Sequence, residues 1–209
     1  MELLKGIKNI IFDLGGVIIN LDYKLTINEF KALGLPDDEK IYSQFNQLPW
    51  FDNYDKGGIS SEVFISELSK ILSPGTSREQ IVHAWNAMLL DFPKERAELL
   101  LSLKNRYRTF LLSNTNALHI DYYLGLVEKW YGKDAMDRFF EKPYYSNRIG
   151  MRKPDREIFE FVLRENGLNA SETLFIDDTL KHVEGAQRAG LRAYHLTGGE
   201  TILDVFERT

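Results

Sequence analysis

The chain has 209 residues, enough for one α/β core of ordinary size plus a smaller inserted module. With 44% hydrophobic and 27% charged residues it has the balance of a globular protein, and a net charge of −5 without a basic tract argues against nucleic acid, whose phosphates are held by clustered Lys and Arg. Cysteine is absent, which excludes disulfides, thiolate catalysis and zinc–thiolate sites and points to a cytoplasmic protein.

Residues 7–13 (IKNIIFD) form a β-branched apolar run that ends in an acid before Gly15-Gly16, the pattern of a buried strand in a parallel sheet. Asp13 breaks the N-terminal apolar stretch, and no run of about 18 apolar residues or small-residue cleavage site follows, so neither a membrane span nor a signal peptide is predicted. Residues 20–92 lack convincing strand runs and read as helices. Thr26 with Glu29, and Ser77 with Gln80, have capping-box spacing. Asp55-Lys56-Gly57-Gly58 reads as a turn, followed by a helix through Val63, Phe64, Ile65 and Leu68. An insertion of about 70 residues is far longer than a βα connection, so it is expected to be a module of its own. A helix is predicted over Lys94–Arg106 from the spacing of Ala97, Leu100 and Leu101, then a strand over Thr109–Ser113. Ile158, Phe161 and Val162 predict a helix over Glu157–Glu165, and further strands fall at Thr173–Asp177 and Arg192–Leu196. Alternating strands and helices imply an α/β protein with a doubly wound, Rossmann-like parallel sheet, built from residues 1–19 and 93–209, with 20–92 as an inserted helical domain. Such sheets bind ligands beyond the carboxyl ends of their strands.

Polar residues cluster at those ends. Asp13 followed by a glycine turn suits a carboxylate nucleophile, with the N–H groups of Leu14 and Gly15 free to receive a phosphoryl oxygen; an ordinary strand-to-turn junction has the same composition. In Leu111-Leu112-Ser113-Asn114-Thr115-Asn116, Ser113 can donate to a phosphate oxygen and the N–H of Asn114 or Thr115 can add another donor, while Thr115 or Asn116 suits a helix N-cap. In Met151-Arg152-Lys153-Pro154-Asp155, Lys153 before a helix-starting proline would be a fixed cation, although most Lys-Pro pairs are simply surface features. Asp177 and Asp178 follow a buried run, where adjacent acids are costly without a compensating cation, and a hard divalent metal is the natural candidate.

In this order, an Asp, a Ser, a Lys and an acidic pair closely resemble the signature of the haloacid dehalogenase superfamily, over residues 7 to about 197. The sequences LSNTN, GMRKPD and IDDTLKHVEGA look most like the subgroup of bacterial sugar-phosphate phosphatases and the phosphatase domain of soluble epoxide hydrolases. The resemblance implies a Rossmann-like core with an α-helical cap at 20–92 and a magnesium-dependent phosphatase acting on a small phosphorylated metabolite, with a sugar phosphate the best guess. It also implies that Asp13 is the nucleophile, forming an aspartyl phosphate, and that Ser113 and Lys153 hold the transferring group. Magnesium would be held by Asp13, Asp178 and the carbonyl of Gly15, with Asp177 as a further ligand, direct or through water. Two positions depart from the pattern. Gly15 stands where most phosphatases of the superfamily carry a second aspartate as general acid and base, so a cap acid (Asp52, Asp55 or Glu62) is a candidate substitute. His182 stands where Asn or Asp is usual; a neutral imidazole there can orient Asp177 or Lys153, and a plain solvent-facing histidine on the first turn of a helix is the equal alternative. Trp50, Phe51, Tyr54 and Trp85 are candidates for the inner face of the cap or for its core. The missing acid also admits a weakened, phosphometabolite-binding or regulatory protein; a mutase and a dehalogenase are further alternatives. Oligomeric state is not encoded in any of these features.

Overall fold

The computed structural model describes residues 3–36 and 49–207. Strands β1 (Asn9–Phe12), β2 (Arg108–Ser113), β3 (Lys142–Tyr145), β4 (Thr173–Asp177) and β5 (Arg192–His195) form one five-stranded sheet in the order β3-β2-β1-β4-β5, with every neighbouring pair parallel. The sheet is apolar because both of its faces are covered. Ile10, Phe12, Leu111, Leu174 and Ile176 point to one face, and Ile11, Phe110, Leu112 and Phe175 to the other, the two-residue alternation of a pleated strand.

On the first face pack α5 (Lys94–Leu103), α6 (Ala117–Tyr131), α7 (Ala135–Phe139) and α11 (Ile202–Glu207), through residues such as Leu100, Ile120, Phe139 and Ile202. On the second lie α9 (Arg156–Asn166) and α10 (Leu180–Arg188), through Ile158, Phe159, Val162 and Ala186. The short α8 (Ser146–Ile149) follows β3 directly.

Between β1 and β2 the chain forms α1 (Tyr23–Ala32), α2 (Pro49–Asp55), α3 (Ser61–Ser69) and α4 (Arg78–Asn86). Residues 37–48 of the segment expected to be helical lie outside the described residues. These helices bury a separate apolar cluster of Phe30, Leu35, Tyr54, Phe64, Ile65, Leu68, Ile81 and Trp85. At its centre, the fully buried Phe64 stacks on Tyr54 at 4.1 Å and meets Trp85 at 4.9 Å and Trp50 at 5.5 Å. Tyr54 and Trp85 are therefore mainly core residues of this cluster.

The capping box at Ser77 forms as the sequence implies: Gln80 N–H donates to Ser77 Oγ at 3.3 Å, and Ser77 N–H to Gln80 Oε1 at 2.8 Å. The one expected at Thr26 does not. Helix α1 starts earlier, with Asp22 as its N-cap accepting from Lys24 N–H at 2.9 Å. Thr26 is instead buried mid-helix, where its hydroxyl donates to the Trp85 carbonyl at 3.2 Å and accepts from Met88 N–H at 3.0 Å. Tertiary contact has claimed a hydroxyl that local spacing assigned to a cap. Pro154 likewise does not begin a helix: α9 starts at Arg156 with Asp155 as its N-cap, and the Lys153–Pro154 peptide is cis.

Strand β3 is an edge strand that the sequence pattern does not reveal. Its residues KPYY contain a charge and a proline, which lacks the N–H a central ladder needs and is tolerated only at an edge.

Replacing Phe64 by Ala removes a large ring from the middle of the helical cluster and is expected to lower stability by about 3–5 kcal/mol, read by chemical denaturation; a loss below about 1 kcal/mol would show that the cluster is not close-packed.

Candidate active site

Parallel strands end in register, so residues just past their carboxyl ends meet. Asp13 follows β1 and continues the ladder, its N–H donating to the Ile176 carbonyl at 2.9 Å. Ser113 closes β2 and Asp177 closes β4. Since β2 and β4 flank β1, these three residues are brought together at one edge of the sheet.

Lys153 reaches them from the loop before α9. Its Nζ donates to Asp13 Oδ1 at 2.6 Å and to Asp177 Oδ2 at 2.7 Å, and its side chain has no exposure at all. The loop is fixed by a reciprocal pair: Lys153 N–H donates to Asn114 Oδ1 at 2.9 Å, and Asn114 Nδ2 donates to the Lys153 carbonyl at 2.8 Å. The Asn114 side chain thus holds the lysine. Of the two backbone N–H groups expected to face a phosphate there, that of Thr115 donates instead to Ser146 Oγ at 2.8 Å. Asn116 is the N-cap of α6, accepting from His119 N–H at 3.1 Å.

One ammonium cannot fully compensate two buried carboxylates. Burial raises the Asp13 carboxyl to about 7, with the Lys153 ammonium opposing and the Asp177 carboxylate reinforcing the shift. Burial also disfavours the Asp177 carboxylate, but Lys153 and His182 outweigh it and bring it to about 2. His182 Nδ1 lies 3.1 Å from each Asp177 oxygen, and Thr179 N–H donates to Oδ1 at 2.8 Å. A carboxylate only accepts, so Nδ1 carries the proton of this contact. Of the two partners the sequence suggested for His182, the structure places it on Asp177.

Asp178 faces the cavity and is exposed. Partial burial and the Asp177 carboxylate raise its carboxyl above the usual range. A Cβ on Gly16 would lie 2.2 Å from Asp178 Oδ2, and Gly16 has φ +74°, so glycine is required there on both counts. Carboxylate oxygens of Asp13, Asp177 and Asp178 lie within 4.8 Å of one another, a hard oxygen set whose charge one lysine leaves in excess. These residues fit a divalent cation such as magnesium.

A cavity of about 300 Å³ opens over this cluster between the sheet edge and the helices of residues 23–92. Asp13, Leu14, Gly15, Ser113, Asn114, Asp178 and His182 line its floor side. Phe51, Asp55, Trp85 and Met88 come from the inserted helices. The junction is held by buried polar contacts. Trp85 Nε1 donates to Asn116 Oδ1 at 3.2 Å, and His119, stacked on Trp85 at 4.7 Å, contacts the Trp85 carbonyl through Nε2 at 3.0 Å. Burial lowers His119 to about 4, so it is neutral and serves as a clamp. Arg152, quoted in the lysine motif but given no role there, donates to Asp52 at 2.7 Å across the same junction. Only its charge, next to Lys153, hinted at this.

A parallel α/β sheet with a lysine-bridged carboxylate site at its carboxyl edge defines the class. The chain belongs to the haloacid dehalogenase-like hydrolase family, whose model matches residues 7–190. It is 29% identical over 193 residues to a D-ribitol-5-phosphate phosphatase of Bacteroides thetaiotaomicron, covering 92% of this chain and 93% of that one. It is 30% identical over 195 residues to a sesquiterpene phosphatase of Aspergillus oryzae, covering 91% and 90%. Among solved structures, it is similar to a haloacid dehalogenase-family enzyme from Bacteroides thetaiotaomicron, an aspartate-to-alanine mutant in complex with magnesium and inorganic phosphate. That match has a TM-score of 0.87 and 35% identity, covering 96% of this chain and 98% of the other. Among the described residues, no helix is long and apolar enough to cross a membrane.

Replacing Lys153 by Met leaves Asp13 and Asp177 buried without their cation, an expected loss of about 3–5 kcal/mol near neutral pH. The loss should shrink toward pH 5, because carboxyls without the cation take up protons more readily. Denaturation curves at several pH values check this, and a pH-independent loss would contradict it.

Proposed function

We propose that the protein is a magnesium-dependent phosphatase of small phosphorylated metabolites, with sugar or polyol phosphates as the preferred class. The observation that carries the reading is the buried Lys153 ammonium between Asp13 and Asp177, with Ser113 and Asp178 lining the same cavity. The relative that is a D-ribitol-5-phosphate phosphatase supports the substrate class, and a cavity of about 300 Å³ suits a small ester.

In this reading an Asp13 carboxylate oxygen attacks phosphorus and displaces the ester oxygen, giving phospho-Asp13, which water then hydrolyses to inorganic phosphate. Lys153 neutralises charge on Asp13 and on the phosphoryl oxygens as the two approach. Ser113 and the N–H groups of Leu14 and Gly15 donate to the phosphoryl oxygens. Asp13, Asp178 and the Gly15 carbonyl hold magnesium, which when bound supplies positive charge at the transferring group. Asp177, with both oxygens already hydrogen-bonded, positions Lys153 and would be a further ligand, direct or through water. Residues 20–92 act as a cap, and the side chains they present to the cavity select the leaving group.

Assay of p-nitrophenyl phosphate and a panel of sugar and polyol phosphates, with and without magnesium, tests the proposal. Turnover that needs magnesium and is abolished by Asp13→Asn supports it. Turnover surviving Asp13→Asn unchanged, or phosphate-ester binding without any turnover, contradicts it.

The pH profile gives a second test. A carboxyl raised to about 7 holds a proton below that pH, and the proton competes with both metal binding and attack. The magnesium concentration for half-maximal activity should therefore rise as pH falls below about 7, and saturating magnesium should move the acid limb to lower pH. An acid limb indifferent to magnesium would contradict this assignment.

A further inference from the structure

Phosphoryl transfer to Asp13 leaves one task unassigned. The departing ester oxygen needs a proton, and the water that hydrolyses phospho-Asp13 must lose one. Residue 15 cannot serve, because it is glycine. Its place is also filled: a Cβ there would lie 2.5 Å from Leu21 Cδ1, a side chain that itself lines the cavity. The proton relay therefore falls to another group.

Of the three cap acids suggested by the sequence, the structure separates one. Glu62 is 70% exposed and paired with Arg78 at 2.9 Å, and it does not line the cavity. Asp52, 47% exposed, is held by Arg152 at 2.7 Å and Lys56 at 3.1 Å, again away from the cavity lining. Asp55 does line it and is only 14% exposed. Its carbonyl accepts from Ser146 Oγ at 2.7 Å, and Ser146 in turn holds the N–H of Thr115. Its carboxyl accepts from Asn116 Nδ2 at 3.3 Å, beside the turn that begins with Ser113. Asp55 is thus an inserted-helix residue pinned against the phosphate-facing turn. Among the described residues, three acids line the cavity: Asp13, Asp55 and Asp178. The proposed function engages Asp13 as nucleophile and Asp178 with the metal.

Resting on that phosphatase reading, we infer that Asp55 is the proton donor to the leaving group and the base for the hydrolytic water. As the Asp13 oxygen bonds phosphorus, the electron pair of the breaking P–O bond passes to the ester oxygen, which takes the proton of the Asp55 carboxyl. The alcohol departs, and the Asp55 carboxylate then accepts a proton from water as its oxygen attacks the phosphorus of phospho-Asp13. Inorganic phosphate and the Asp13 carboxylate are released with Asp55 protonated again. Burial raises the Asp55 carboxyl above the usual range, with the Arg152 guanidinium 3.7 Å away opposing and Asp52 reinforcing the shift, which favours the acid form the first step needs. The two histidines of the cavity are already engaged: His119 is neutral with both ring nitrogens in contacts, and His182 holds Asp177 through Nδ1.

The test is leaving-group dependence in the magnesium-loaded, full-length protein. kcat/KM is measured for p-nitrophenyl phosphate, whose leaving group departs without help, and for phenyl phosphate, whose leaving group needs a proton. Because kcat/KM reports only the phosphoryl-transfer step, Asp55→Asn should change it for the nitrophenyl ester by less than about threefold and lower it for the phenyl ester by about 10²-fold or more. kcat should fall for both esters, because hydrolysis of phospho-Asp13 has lost its base. Retained nitrophenyl kcat/KM shows that the variant folds, and Asp55→Glu should recover part of the phenyl activity. Equal loss of kcat/KM on both esters would make Asp55 a structural contact and overturn the inference, as would no loss on either. So would a leaving-group-dependent loss found in His182→Asn and not in Asp55→Asn. A wild-type protein inert toward both esters overturns the phosphatase reading itself, an outcome distinct from any of these.

Discussion

An ammonium group buried between two carboxylates is the constraint around which the rest of the site is arranged. A lysine without solvent exposure is tolerable only if its charge is met by partners at hydrogen-bond distance. Asp13 and Asp177 provide them because β1 and β4 are adjacent and in register, Phe12 beside Ile176. The lysine arrives from a loop that Asn114, just past β2, grips by its backbone. Three neighbouring strands therefore hold this one lysine, two at Nζ and one at its backbone. The arrangement also leaves a charge imbalance. Asp177 has Lys153, His182 and the Thr179 N–H, so it is firmly ionised, while Asp13 is left proton-hungry. A carboxylate held in that condition is well suited to receive a metal and then an electrophilic phosphorus.

The inserted helices are joined to this centre by buried polar contacts together with a few apolar ones, such as Leu118 on their cluster. They have their own aromatic cluster around Phe64, and they meet the sheet edge through Trp85, Asn116, His119, Asp55 and Ser146. Buried polar contacts of this kind are directional, so they fix register between the two parts more than they add stability. The functional consequence is that residues of the helices are held at fixed positions in the cavity. Leu21 occupies the space beside Gly15, and Asp55 lines the same cavity from α2.

Much of this was legible in the sequence. Four of the five strands were apparent, the three central ones because parallel strands buried on both faces are continuous apolar runs, and the order of Asp13, Ser113, Lys153 and Asp177-Asp178 pointed to the family. What escaped was set by long-range contact. Strand β3 carries Lys142 and Pro143 and is a strand only because β2 offers it an edge. Thr26 has the spacing of a cap residue, but Trp85 and Met88, about 60 positions away, claim its hydroxyl. The Asn114 side chain carried no signal of its grip on the Lys153 backbone, which lies 39 positions away. No local pattern distinguished Asp55 from Asp52 or Glu62; burial and position in the cavity did.

The central claim is that Asp13 carries the phosphoryl group. Acid quench during turnover of a phosphate ester, followed by peptide mapping of the trapped acyl phosphate by mass spectrometry, tests it most directly. Phosphate on Asp13 in the presence of magnesium is the expected result. Phosphate trapped on any residue other than Asp13, or rapid turnover with no phosphoenzyme trapped, would contradict the account.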